Sequence, residues 1–297
     1  MQDRYVGDVG DFGKFGVLRA LTRAMGPTGR LGVVWCAFPD ESHNGDGRHV
    51  GYLRDLAMAR LDGDLHAGLR TIVASGKRTM LAIETAGLFP ASTIFFREPI
   101  AGPVAEQGRS PVARRAHRER WLSRALEATA PADLVFLDPD NGIGTIATSR
   151  DGQKAGKFVF LDELARFWAR GQSLIVYHHT NRTCPVDDQV TALGTRLLTT
   201  MEGSRPIPLL FRRGSCRIFW VIAQPALQAT LAKAAGEFLE HGWADHFGPL
   251  GDLQSSTTSA GPVPSQSTRM PRGPSTTSST NLAANGPGWP ARESGST

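Results

Sequence analysis

Apolar and polar positions alternate along the first 247 residues in a rhythm that switches repeatedly between helix and strand. Phe12, Phe15, Leu18 and Leu21 recur at a spacing that predicts a helix over Asp11–Met25, stopped by Gly26-Pro27. Leu31–Phe38, LGVVWCAF, is an unbroken apolar run bounded by turn residues, as expected of a strand buried on both faces. Val50–Ala59 and Leu65–Ser75 read as helices, and Met80–Thr85 and Thr93–Arg97 as short strands. Pro111–Thr129 is a strongly basic helix, followed by the strand Leu134–Leu137, the amphipathic helix Leu161–Arg170 and the strand Ser173–Tyr177. Asp187–Met201 is helical, Pro208–Phe211 pairs with Cys216–Ile222 as a hairpin, and Ala226–His241 closes the series as a helix. The alternation predicts an α/β fold with a doubly wound, mostly parallel sheet and a C-terminal antiparallel hairpin. Ligands of such sheets bind beyond the carboxyl ends of the strands, where strand order reverses.

Composition adds limits rather than an identity. The chain has 297 residues, of which 40% are hydrophobic, enough for a sizeable core. Residues 1–247 are expected to form one α/β domain. From Gly251 to Thr297 the chain is rich in Ser, Thr, Pro and Gly, and such a segment is expected to be disordered, because it cannot bury enough surface to offset its ordering entropy. The three cysteines, Cys36, Cys184 and Cys216, are far apart and suggest neither a disulfide framework nor a CxxC-type zinc site. No stretch approaches the roughly 18 apolar residues of a membrane span, and the acidic N-terminus does not read as a signal peptide. A cytoplasmic setting is therefore expected. The formal charge of +5 fits a nucleic-acid partner without demanding one. Nothing in the sequence speaks to oligomeric state.

The chemistry concentrates at strand ends. Leu134–Leu137 stops abruptly at Asp138, Pro139, Asp140 and Asn141; the proline fixes φ and pushes Asp138 toward an extended conformation at the sheet edge. Carboxylates placed there can coordinate a metal, accept a proton or bind an amine, although the same residues make an ordinary turn. Ser173–Tyr177 runs into His178, His179, Asn181 and Arg182, and adjacent histidines on an extended chain point to opposite sides, so one at most faces Asp138. The segment after Phe38 supplies Asp40, Glu41, His43, Asn44 and Asp46 at a third strand end. Gly7, Gly10, Gly13 and Gly16 recur every third residue among Asp8, Asp11 and Lys14, a pattern that allows close approach by an anion or by a neighbouring helix. Arg114, Arg115, Arg118 and Arg120 give the basic helix a face suited to phosphate, or simply to solvent.

Two of these motifs carry a resemblance. The chain is similar in element order to class I S-adenosylmethionine-dependent methyltransferases, a Rossmann-like fold, and within them resembles the RlmJ-type 23S rRNA adenine-N6 methyltransferases. Gly7-Asp8-Val9-Gly10-Asp11-Phe12-Gly13-Lys14-Phe15 follows the outline of that family's Gly-Asn-x-Ala-Asp-x-x-Lys-His stretch. Asp138-Pro139-Asp140-Asn141 stands where the family has its DPPY tetrad, matching its first two residues and replacing the second proline and the aromatic. FPDESHNGDG replaces the Gly-rich cofactor loop expected after the first strand. The resemblance implies S-adenosylmethionine as cofactor, with Lys14 near it; Asp11 and the strand-end acids Asp40 and Asp46 are the further candidates for holding it. It also implies a target amino group met by Asp138; Asp140, Asn141 and His178 are candidate catalytic residues by their place at the same strand ends.

The leading expectation is a methyltransferase-like enzyme acting on an amino group of a nucleic acid, which needs no metal. A different class, a metal-dependent nuclease or phosphohydrolase, would use Asp138, Asp140 and His178 or His179 to hold a divalent ion that activates water. A third is a non-catalytic nucleic-acid-binding module in which Arg114, Arg115 and Arg118 dominate.

Overall fold

Period-two burial decides which way each strand's side chains point, and the computed structural model shows the two faces filled from the same sequence runs. It describes residues 1–41, 47–100, 110–213 and 216–248, all within one compact unit, Met1–Ser255. The strands are β1 (Leu31–Val34), β2 (Ile94–Phe96), β3 (Leu134–Leu137), β4 (Gly142–Ile143), β5 (Phe158–Val159), β6 (Ser173–His179), β7 (Ile207–Phe211) and β8 (Arg217–Ile222). Six of them form one sheet in the order β2-β1-β3-β6-β8-β7, and β4 pairs with β5 separately. β2, β1, β3 and β6 are mutually parallel, whereas β8 runs antiparallel to both β6 and β7. The reversed strand thus lies between two strands of the common direction.

The helices are α1 (Val9–Ala24), α2 (Leu56–Ala59), α3 (Gly63–Ala74), α4 (Met80–Thr85), α5 (Pro111–Ala128), α6 (Leu161–Trp168), α7 (Val186–Thr200) and α8 (Pro225–Glu240). They cover both faces of the sheet. Leu31, Val33, Leu134, Phe136, Ile175, Phe219 and Val221 join a core with α1, α3 and α8. Their sequence neighbours Val34, Val135, Leu137, Leu174, Val176, Ile218 and Trp220 join a second core with α5, α6 and α7. By alternation, Asp138, Tyr177, His179 and Arg217 belong to the α1 face and His178 to the other.

Two sequence expectations change. Met80–Thr85 is a helix rather than a strand: the Thr79 side chain accepts a hydrogen bond from the Ala82 amide as an N-cap, and the apolar Met80 and Ile83 fall on one buried helical stripe. Val50–Ala59 is broken into a 3-10 turn, Gly51–Arg54, and the short α2, because Asp55 takes an extended conformation and caps α2 through Ala57 N. The tail from Gly251 to Thr297 lies outside the described residues.

The four early glycines serve packing. A Cβ on Gly13 would meet the Phe211 ring at 2.6 Å, and one on Gly16 would meet Trp243 at 2.6 Å. α1 therefore lies tight against β7 and the 3-10 turn Trp243–Asp245. A Cβ on Gly10 would come within 2.2 Å of Arg217 Nη1, which brings α1's first turn against the end of β8.

Candidate functional site

Asp138 is the residue on which the strand ends converge. Its amide donates to Val34 O across the β1–β3 ladder, which fixes it one step beyond both strands. Its side chain faces α1, where Lys14 Nζ donates to Asp138 Oδ2 at 2.7 Å and to Asp11 Oδ1 at 2.7 Å. Asp11 Oδ2 accepts from Gly7 N at 2.9 Å, and Asp8 caps α1 by accepting from Asp11 N at 3.0 Å. All three members of the carboxylate–ammonium–carboxylate chain are buried: Asp138 is 2% exposed, Lys14 4% and Asp11 1%. Burial opposes the charge on Lys14, but Asp11 and Asp138 outweigh it and hold the ammonium above its ordinary pKa. Burial raises both Asp11 and Asp138 against the pull of Lys14. Among the described residues, Asp138 Oδ1 accepts no protein hydrogen bond.

A cavity of about 320 Å³ opens over this group, bounded by the first turns of α1, by Asp138–Asn141, by His49 and by the ends of β6 and β8. Tyr177 and His179 reach it from β6, with the Tyr177 hydroxyl 3.3 Å from His179 Nδ1. Burial pushes the Tyr177 phenol up to about 12, so it serves as a neutral hydrogen-bonding group. Arg217 enters from β8, with Nη2 4.0 Å from Asp8 Oδ2 and Nη1 buried without an acceptor among the described residues.

Asp140 faces the same space but is already engaged. The Met1 amino group lies 2.9 Å from Asp140 Oδ1 and donates to Cys36 O and Asp138 O at 3.1 and 2.9 Å, while Gln2 Nε2 donates to Asp140 Oδ2. Burial raises Asp140, and the Met1 amino group and Gln2 outweigh it, leaving the carboxyl below its usual range. Cys36 holds the turn after β1 at φ 46°, a left-handed conformation that costs a non-glycine residue energy and presents its carbonyl to Met1. Asn141 acts through its backbone: its amide donates to Lys157 O at 2.9 Å and its carbonyl accepts from His179 N at 3.3 Å.

Other expected site residues are elsewhere. His178 points away from the cavity to the opposite face, where its Nδ1 accepts from Ile143 N at 3.1 Å. Gly142, at φ 99°, lies so close that a Cβ there would be 2.5 Å from His178 Cα. Burial, with His179 and Arg196 nearby, lowers the imidazole to about 4. His178 is therefore a neutral fastener of β4, and His179 is the histidine on the cavity wall. Asp40 is exposed and accepts from Arg4 N at 3.2 Å, so it orders the N-terminal segment and does not line the cavity. His43, Asn44 and Asp46 lie outside the described residues.

The basic helix needs the largest correction. Arg118 is 7% exposed; its guanidinium donates to both oxygens of Glu163, to Ala155 O and to Phe158 O, and covers the Phe160 ring. Four of its five N–H groups are thus committed inside the protein, which excludes it as a phosphate contact. Arg115 pairs with Asp151, and Arg114 Nε donates to Asp151 O. Among the described residues, no group of three His, Cys, Asp or Glu side chains is arranged to hold a metal ion, and no helix is long and apolar enough to cross a membrane. Asp138 and Asp140 are each paired with an ammonium group, Lys14 and Met1.

Sequence reading missed Tyr177, Arg217 and His49. The signal for the first was available, since Tyr177 and His179 share a strand face; Arg217 and His49 are brought in by tertiary packing alone. Comparison with protein-family models, with curated proteins and with solved structures returns no match for this chain.

Proposed function

We propose that the chain is a methyltransferase-like enzyme that places a methyl group from S-adenosylmethionine on an amino group of a nucleic acid. The observation that carries this reading is the Asp138 carboxylate, which lines the cavity: one oxygen is fixed by Lys14 and the other has no protein partner among the described residues. An acceptor so placed takes a hydrogen bond from an incoming amino group and turns the nitrogen lone pair toward its electrophile. Catalysis of this kind rests mainly on positioning. The strand order agrees with the same reading, because the mostly parallel sheet carries β7 and β8 as the C-terminal antiparallel hairpin expected of a Rossmann-like, methyltransferase-like fold.

The donor set suits the cofactor. A cavity of about 320 Å³ falls in the range of small-molecule sites. It offers the second oxygen of Asp138 to an amino group and the Arg217 guanidinium to a carboxylate, while Asp11 is held by Lys14 and Gly7 N. When bound, S-adenosylmethionine would supply a methyl group on a sulfonium, with a neutral thioether as leaving group. Lys14 keeps Asp138 in place, Tyr177 and His179 bound the side toward β6, and the Asn141 backbone ties the exit of β3 to the end of β6.

The test is transfer of isotope-labelled methyl from S-adenosylmethionine to mixed RNA and DNA, followed by digestion and mass spectrometry. Label on an exocyclic amino group of a base, lost in Asp138→Ala, is the expected result. Label on no nucleoside would contradict the reading.

A further inference from the structure

Ion pairs engage five arginines on and around α5. Arg115 faces Asp151, Arg118 faces Glu163, Arg124 faces Glu98, Arg150 faces Asp162 and Arg166 faces Glu119, whereas Arg120 on the same helix is exposed and forms no ion pair among the described residues. A phosphate arriving there would have to displace a carboxylate from each of the paired arginines.

The cavity mouth is different. His179 pairs with Arg217 across β6 and β8, and Arg217 pairs with Phe211 across β8 and β7, so three strands meet one edge at the same level. The chain leaves the sheet there, and Arg182, Arg212 and Arg213 are exposed on the segments that follow or precede those strands. Across the mouth Arg48 is exposed next to the cavity-lining His49, whose carbonyl accepts from Val9 N at the start of α1. Among the described residues none of these four arginines forms an ion pair with a carboxylate. Arg213 Nε donates to His246 Nδ1 at 2.7 Å, and among the described residues it has no carboxylate partner. Asp187 and Asp188 lie on the first turn of α7, and Asp245 and Asp55 act on His246; among the described residues none of them forms an ion pair with these arginines.

We infer that Arg48, Arg182, Arg212 and Arg213 form the docking surface for the nucleic-acid backbone, with one base directed into the cavity between them. The inference rests on the nucleic-acid reading above and moves the contact surface from α5 to the cavity rim. Arginine presents a planar fork that matches phosphate oxygens, and arginines on either side of a mouth suit a strand that crosses it. Phosphate contacts fix register while the recessed pocket takes the base that is turned out of its stack.

The experiment compares Arg182→Gln/Arg212→Gln/Arg213→Gln with a control drawn from the paired arginines, Arg115→Gln/Arg124→Gln/Arg166→Gln. Binding of a fluorescein-labelled single-stranded RNA is followed by anisotropy over a range of salt, and S-adenosylhomocysteine binding is measured calorimetrically on the same samples. The rim variant is expected to bind RNA at least about ten-fold more weakly, with a salt slope shallower by about 2, at roughly 0.7 per lost phosphate contact. The control should stay within about two-fold, and both should keep the melting midpoint. Equal losses in the two variants, or no loss at the rim, would overturn the surface. So would equal rim-dependent binding to phosphatidylserine vesicles, which would assign the arginines to a membrane. A wild-type chain that binds cofactor but no RNA overturns the surface and leaves a transferase with another substrate. One that binds RNA through the rim but no cofactor supports the surface and overturns the methyltransferase reading.

Discussion

Lys14 reaches from the second turn of α1 to the end of β3 and holds Asp138 at 2.7 Å, while the same ammonium holds Asp11 at 2.7 Å. One buried cation thereby joins a helix that precedes the sheet to the central strand edge, and the cavity forms around that junction. Lys14→Met would leave two buried carboxylates facing each other without a counter-charge. Removing one partner of a buried ion pair costs about 3–5 kcal/mol, and urea denaturation of the variant should show a loss of that size. A change below about 1 kcal/mol would mean that the pair is far more solvated than its burial indicates.

The glycines of α1 give a prediction whose sign is informative. Helix propensity alone favours Gly→Ala by about 1 kcal/mol. Gly236 in α8, where an added Cβ would meet nothing within 4 Å, should show that gain as Gly236→Ala. Gly13→Ala should instead destabilise by about 1–3 kcal/mol through overpacking, because the new methyl would lie 2.6 Å from the Phe211 ring. Thermal melting of the two variants should move in opposite directions. Parallel shifts would contradict the close packing of α1 on β7.

This pair also shows what the sequence made legible. The triplet spacing of Gly7, Gly10, Gly13 and Gly16 announced a close approach, but Phe211, Trp243 and Arg217 are about 200 residues away in the chain. Local pattern carries no information on partners that distant. The apolar runs at Leu31, Leu134 and Ser173 identified the buried parallel strands, and Asp138 followed from the abrupt polar stop after Leu137. Met80–Thr85 was misread because six mixed residues satisfy a strand pattern as well as a helical one, and the deciding Thr79 cap precedes them. His178 and His179 were separable only once the face of β6 that meets α1 was known.

His178 makes folding sensitive to acid. The unfolded imidazole, with a pKa near 6.5, takes up a proton that the folded one refuses until about pH 4, since burial and the neighbouring His179 and Arg196 disfavour its charge. Stability from neutral His178 is thus full above the unfolded pKa and is lost as pH falls toward the folded value, at up to about 1.4 kcal/mol per pH unit. His178→Asn, whose amide oxygen can still accept from Ile143 N, removes the titration. Urea midpoints between about pH 7.5 and about pH 5 should fall more steeply for the wild type than for this variant. Identical slopes would place the acid sensitivity elsewhere.

Arg118 and Glu163 belong to architecture. Together they bind the turn at Ala155–Phe158 to α5 and α6 through a bidentate pair and two carbonyl contacts. Arg118→Ala should cost about 3–5 kcal/mol of stability, measured by denaturation, while leaving RNA affinity per folded molecule unchanged. A loss of affinity at full folding would return the basic helix to the interface.

The central claim is that the cavity beside Asp138 binds S-adenosylmethionine. Titration calorimetry with S-adenosylhomocysteine tests it on the wild-type chain, on Tyr177→Phe as a conservative change in the wall, and on Gly10→Leu, which fills the approach beside Arg217. The account predicts saturable one-to-one binding by the wild type, weaker binding by Tyr177→Phe, and none by a folded Gly10→Leu. A cooperatively melting wild-type chain that produces no binding heat at several temperatures would contradict it.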